Sequence, residues 1–128
     1  MDPQTHERGR EIRTRVLGAE YVERAAANAD EFSQPLQDLV TEYCWGAVWG
    51  RDGLAPKSRS MITLAMIATL NRPQELATHI KGALRNGVTR DEIREVFLQV
   101  GVYAGIPAAV DSFRIARATF AELDGDQP

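Results

Sequence analysis

Residues 58–87 read SRSMITLAMIATLNRPQELATHIKGALRNG. The first half of this stretch has apolar or small residues on every side of a helix, a pattern that marks a helix buried all round. Ser60 to Leu70 is therefore expected to be the central helix of an all-α fold. Asn71 closes that helix, and Pro73 suits the first position of the next. Gly87 ends it in the left-handed conformation that glycine tolerates. No segment of the chain alternates apolar and polar residues long enough to make a strand, whereas the 3.6-residue period recurs almost everywhere.

Working outward, TRDE at residues 89–92 is a capping box in which Thr89 answers Glu92. Ile93, Val96, Phe97, Val100 and Ala104 continue it as an apolar stripe. A last helix is expected from near Pro107 through Phe113 and Ala116 to Phe120. Towards the N-terminus, a helix from Ser33 to Trp49 has Ser33 as its cap and Pro35 in its first turn. Leu36, Leu39, Val40, Tyr43, Ala47 and Val48 form its expected core stripe, with Glu42, Trp45 and Trp49 along an adjoining line. A short helix around Glu20 to Asn28 precedes it. The segment from Pro3 to Gly18 is highly charged with few apolar anchors, so its helix is expected to lie on the surface or to reach a neighbouring subunit.

With 128 residues the chain fits a single domain, 1–128, of six or seven helices, with a disordered tail at 124–128. Its 15 basic and 18 acidic residues leave a net charge of −3, with no run of like charges that would favour nucleic acid. An anionic ligand would have to be met by a local cluster of cations. The single cysteine, Cys44, permits no internal disulfide, CxxC pair or multi-cysteine zinc site. The charged first eighteen residues lack the apolar core of a signal peptide. The longest apolar run, MITLAMIATL, is too short to span a bilayer. Together these features read as a cytoplasmic protein without membrane or metal.

Four groups of residues can carry chemistry. His79 falls inside the apolar arc of Leu76, Ile80, Ala83 and Leu84, with Glu75 four residues before it in position to fix its tautomer and raise its basicity. An imidazole in that place serves as a proton donor or simply fills the core. Glu42 lies between Leu39 and Trp45, where it is either a desolvated acid–base group or a carboxylate reaching solvent or an arginine. Trp45 and Trp49 either wall a pocket or pack a core. Cys44 reads best as a small buried filler. For an anion, Arg51, Lys57, Arg59, Arg72, Lys81 and Arg85 are available. Arg59, beside the buried run, and Arg72, at a helix start, are the most informative, although surface ion pairs account for either.

LVTEYCWGAVWGRDGL at residues 39–54 and the whole of residues 57–114 resemble the carboxymuconolactone decarboxylase family, which also includes the alkyl hydroperoxidase D-like proteins. The peroxidase relatives carry a CxxC on the helix that here reads RPQELATH. Arg72 to Glu75 contain no cysteine, so thiol peroxidase chemistry is not available to this chain. The resemblance implies an all-helical subunit in a ring-like homo-oligomer, commonly a hexamer, with no cofactor. It implies decarboxylation of a small dicarboxylate lactone to an enol-lactone in the protocatechuate branch of the β-ketoadipate pathway. On that reading His79 and Glu42 are catalytic, and Arg59, Arg72, Trp45, Trp49 and Glu75 bind or orient the substrate. A non-catalytic helical oligomer of the same family, kept for assembly or ligand sensing, is the competing class.

Overall fold

Local signals set the helix ends in the computed structural model, which describes residues 1–125. Helix α1 spans Pro3–Leu17, with the Asp2 side chain accepting from the Gln4 N–H at its start and Gly18, at φ 94°, at its end. Helices α2 (Ala19–Asn28) and α3 (Gln34–Leu39) follow. From Val40 to Val48 the same helix continues in π geometry, and the Trp49 N–H bonds the Cys44 carbonyl five residues back at 2.9 Å. Helices α4 (Pro56–Leu70), α5 (Pro73–Arg85), α6 (Arg90–Ala104) and α7 (Ile106–Leu123) complete an all-α chain, with no strand among the described residues. The Thr89–Glu92 capping box is present in both directions, and Asn71 (φ 59°) and Gly87 (φ 90°) take the left-handed turns between helices.

The chain divides into two compact units, Met1–Pro56 and Lys57–Pro128, each with its own core. In the first, Ile12, Val16 and Leu17 of α1 pack with Trp45, and Tyr21, Val40 and Trp49 close around them. The approach of α1 to the π-helical segment is close. A β-carbon on Gly9 would run into the Thr41 carbonyl, and one on Gly46 would meet the backbone of Thr5. In the second unit, Leu64 and Ala68 of α4, Leu76, Ile80 and Ala83 of α5, Ile93, Phe97 and Val100 of α6 and Ala116 of α7 form one continuous core.

Several expectations are corrected by this packing. Helix α1 is an integral wall of the first unit, because its glycine lets the backbones touch where the sequence showed only charge. The stripe expected to be core in the third helix is largely outside: Leu36, Leu39, Tyr43, Ala47 and Val48 are exposed. A π-helix has more residues per turn than an α-helix, so the inward register passes to Thr41, Trp45 and Gly46. Ser33 is not a side-chain cap. Its hydroxyl accepts from the Asp30 N–H while Asp30 Oδ1 accepts from the Ser33 N–H, closing the turn before the helix. Helix α4 is buried on one face only, through Ser60, Leu64 and Ala68, while Ile62, Met66 and Leu70 are exposed on another. Of the expected tail, Asp124 is held by a two-pronged ion pair with Arg90 (2.6 and 2.9 Å), and 126–128 lie outside the described residues.

Candidate active site

Pro73 starts α5, and Leu76, Ile80 and Ala83 turn its apolar face into the second unit's core. His79 sits on that arc, half-buried, with its Nδ1 enclosed. Loss of solvent around the ring disfavours the imidazolium and lowers its pKa from 6.5 to about 4. The ring is neutral near pH 7. This reverses the expectation that Glu75 would make it more basic. Glu75 stands exposed, where water screens its charge, and burial decides the shift.

Arg59 belongs to α4, which precedes α5 in the chain. It is half-buried with its Nε enclosed, and it precedes the fully buried Ser60. The Ser60 hydroxyl accepts from Asn86 Nδ2 at 2.9 Å, which ties the start of α4 to the end of α5. That tie fixes where Arg59 leaves its helix. The sequence carried a signal for it, a lone serine in the otherwise apolar series Ser60, Leu64, Ala68, but it was not read as functional.

Several other cations of this unit have contacts within it. Arg72 is exposed, and its Nη1 donates to the carbonyls of Leu70 (3.1 Å) and Asn71 (3.4 Å), covering the end of α4. Lys57 pairs with Glu92 at 3.0 Å and Lys81 with Glu122 at 2.8 Å. Arg85 is exposed. Of the two arginine candidates, Arg59 is half-buried with its Nε enclosed and Arg72 is exposed.

In the first unit, Trp45 and Trp49 are brought together, with ring centroids 4.9 Å apart and planes tilted by 30°. Trp45 is buried in the core and Trp49 partly so. Glu42 is half-buried, and its Oε2 accepts from the Asp2 N–H at 3.0 Å, holding the start of α1 against the π-helical segment. Cys44 is exposed, not a buried filler, because the π register turns it outward. Glu42 and the tryptophans therefore belong to one unit, and Arg59, Arg72, Glu75 and His79 to the other.

The family model described as "Carboxymuconolactone decarboxylase family" matches residues 34–118. The chain belongs to this family. Among its relatives is a 4-carboxymuconolactone decarboxylase of Acinetobacter baylyi, 38% identical over 95% of this chain and 91% of that protein. Another is the nitrosuccinic acid decarboxylase npaB of Metarhizium robertsii, 44% identical over 90% of this chain and 80% of that protein. The two family members share decarboxylation in their names and differ in the acid. Among the described residues no group of three His, Cys, Asp or Glu side chains could hold a metal ion. No described helix is long and apolar enough to cross a membrane.

Proposed function

We propose that this chain is a decarboxylase of 4-carboxymuconolactone, releasing CO2 and leaving 3-oxoadipate enol-lactone in the cytoplasmic breakdown of protocatechuate. The observation that carries the reading is a neutral, half-buried imidazole at His79 in a chain so similar to the Acinetobacter decarboxylase. The chemistry needs no cofactor. When the bond from the ring carbon to its carboxylate breaks, the electron pair passes through the ring double bond to the lactone carbonyl oxygen, and carbon is protonated afterwards. The protein's task is to hold the remaining carboxylate and to stabilise the dienolate oxygen.

A neutral imidazole suits the second task. With a pKa of about 4 it is almost wholly unprotonated at neutral pH, so it acts as a hydrogen-bond donor to the oxyanion, with little imidazolium to supply as an acid. Arg59 is the group proposed to hold the retained carboxylate, since a guanidinium fork matches its geometry. Arg72 and Glu75 take secondary places, at the rim and in orientation. Glu42, Trp45 and Trp49, which the family resemblance would bring to the substrate, lie in the other unit, where Glu42 accepts from the Asp2 N–H and Trp45 is buried in the core.

A second acid is favoured by the higher identity to the nitrosuccinic acid decarboxylase. There the electron pair would pass to the nitro group, and the same donor and cation would serve. The chain is further proposed to form a homo-oligomer, a hexamer on the family resemblance. The exposed stripes Leu36–Leu39–Tyr43 and Ile62–Met66–Leu70 support it, since such apolar surface is costly to leave in water.

The deciding experiment mixes purified protein, without added metal or flavin, separately with 4-carboxymuconolactone and 2-nitrosuccinate, following CO2 and product. Faster turnover of the lactone is expected. Preference for nitrosuccinate would move the chain to the second reading, and no CO2 from either acid with folded protein would leave the non-catalytic oligomer.

A further inference from the structure

The first unit contains a cavity of about 130 Å³ unrelated to His79, walled by one face from each of three helices. Helix α1 contributes His6, Arg10 and Arg13, spaced four and three residues apart. Helix α3 contributes Gln37 and Asp38, while α2 supplies small side chains that leave the space open.

Arg13 is the anomaly. It is only 8% exposed, in a unit where no carboxylate among the described residues pairs with it. Its Nη1 donates to Gln37 Oε1 at 3.1 Å, its guanidinium lies 5.9 Å from the Tyr21 ring centre, and its buried Nε has no hydrogen-bond partner. A buried cation satisfied only by an amide and an aromatic face is uncompensated, a state proteins avoid because the lost hydration is large. The one acid on the wall, Asp38, is already engaged: its Oδ1 lies 3.5 Å from His6 Nε2 and accepts from Gln34 Nε2 at 3.0 Å. Arg10 adds a second positive charge, balanced only by an exposed Glu7 at 3.8 Å.

We propose that this cavity binds a carboxylate group through Arg13, with Arg10 at its mouth. The cavity's size and its single buried guanidinium fit the planar carboxylate better than a doubly charged phosphate, which would call for more positive charge. The carboxylate belongs either to a small free dicarboxylic acid or to an Asp or Glu side chain of a second copy of this chain.

Thermal unfolding in chloride-free buffer, with succinate as probe and sodium chloride at matched ionic strength as control, tests the proposal alongside sedimentation over a dilution series. Gln37→Glu places a carboxylate on the atom that already meets Arg13, and Arg13→Gln removes the cation. If the source is a free acid, succinate at ten times its Kd raises the wild-type Tm saturably by about 3–6 °C while chloride does not. Gln37→Glu then has a higher Tm without ligand and no succinate increment. If the source is a second copy, Gln37→Glu and Arg13→Gln each weaken self-association by tenfold or more, on the order of one lost charged contact, and succinate competes with assembly. Equal responses to succinate and chloride in wild type and Gln37→Glu, with unchanged sedimentation, overturn the proposal. Because Gln37→Glu is isosteric, the test survives a failure of Arg13→Gln to fold.

Discussion

Gly9 lies directly against the Thr41 carbonyl, so α1 meets the π-helical segment backbone to backbone. Nothing larger than hydrogen fits between them. Gly9→Ala is therefore expected to destabilise the protein by about 1–3 kcal/mol or more, as overpacking of a tight contact does. Gly53→Ala is the control, since a β-carbon there meets nothing within 4 Å. Urea denaturation of the two variants should separate them; equal midpoints would mean that the close approach is not maintained in solution.

His79 should reveal its burial through pH. Its pKa falls from 6.5 in the unfolded chain to about 4 in the folded one, so the unfolded state binds the extra proton between those values. The stability due to the neutral ring is complete above pH 6.5 and declines as pH drops towards 4. At pH 5 the loss should reach about 1–2 kcal/mol relative to pH 8. In His79→Gln that part of the pH dependence should vanish. A folded His79→Leu variant, which removes the hydrogen-bond donor, should lose at least about a hundredfold in kcat with little change in KM. Wild-type kcat/KM should show no inflection at pH 6.5. Turnover of His79→Leu within threefold of wild type would return the residue to a core filler.

Arg59 and Arg72, equal candidates in the sequence, should separate by readout. Arg59→Ala is expected to raise KM by about thirtyfold or more, the cost of a lost charge-assisted contact of roughly 2 kcal/mol. Arg72→Ala should act mainly on stability, by about 0.5–1.5 kcal/mol, through the two carbonyls at the end of α4 that it serves. If Arg72→Ala changes KM and Arg59→Ala does not, the carboxylate site lies at the start of α5.

Met66→Glu places a charge in the exposed stripe between Ile62 and Leu70. The helix should persist by circular dichroism, while the proposed homo-oligomer should dissociate in sedimentation at micromolar protein. An unchanged assembly would assign the subunit contact to another face, such as the exposed Val102, Tyr103, Ile106 and Val110.

The sequence by itself determined the helices and most of their ends. Pro73, Gly18, Gly87 and the Thr89–Glu92 box act through bonds to their own neighbours and need no distant partner. His79 was legible for the same reason, since its place on the apolar face of α5 is a matter of spacing within one helix. The tertiary structure alone decided which faces are covered. Helix α4 is apolar on all sides in sequence, yet only the Ser60, Leu64 and Ala68 side meets the core. Within the π-helical stretch the inward register falls on Thr41, Trp45 and Gly46 and leaves Tyr43, Ala47 and Val48 outside, a turn geometry that no residue count announces. Arg13 is one charge among many in the sequence of α1, and the contact that marks it, with Gln37, comes from a helix 24 residues away. The pKa of His79 likewise fell although Glu75 stood four residues away, because desolvation is set by everything packed around a group and not by its nearest charge in sequence.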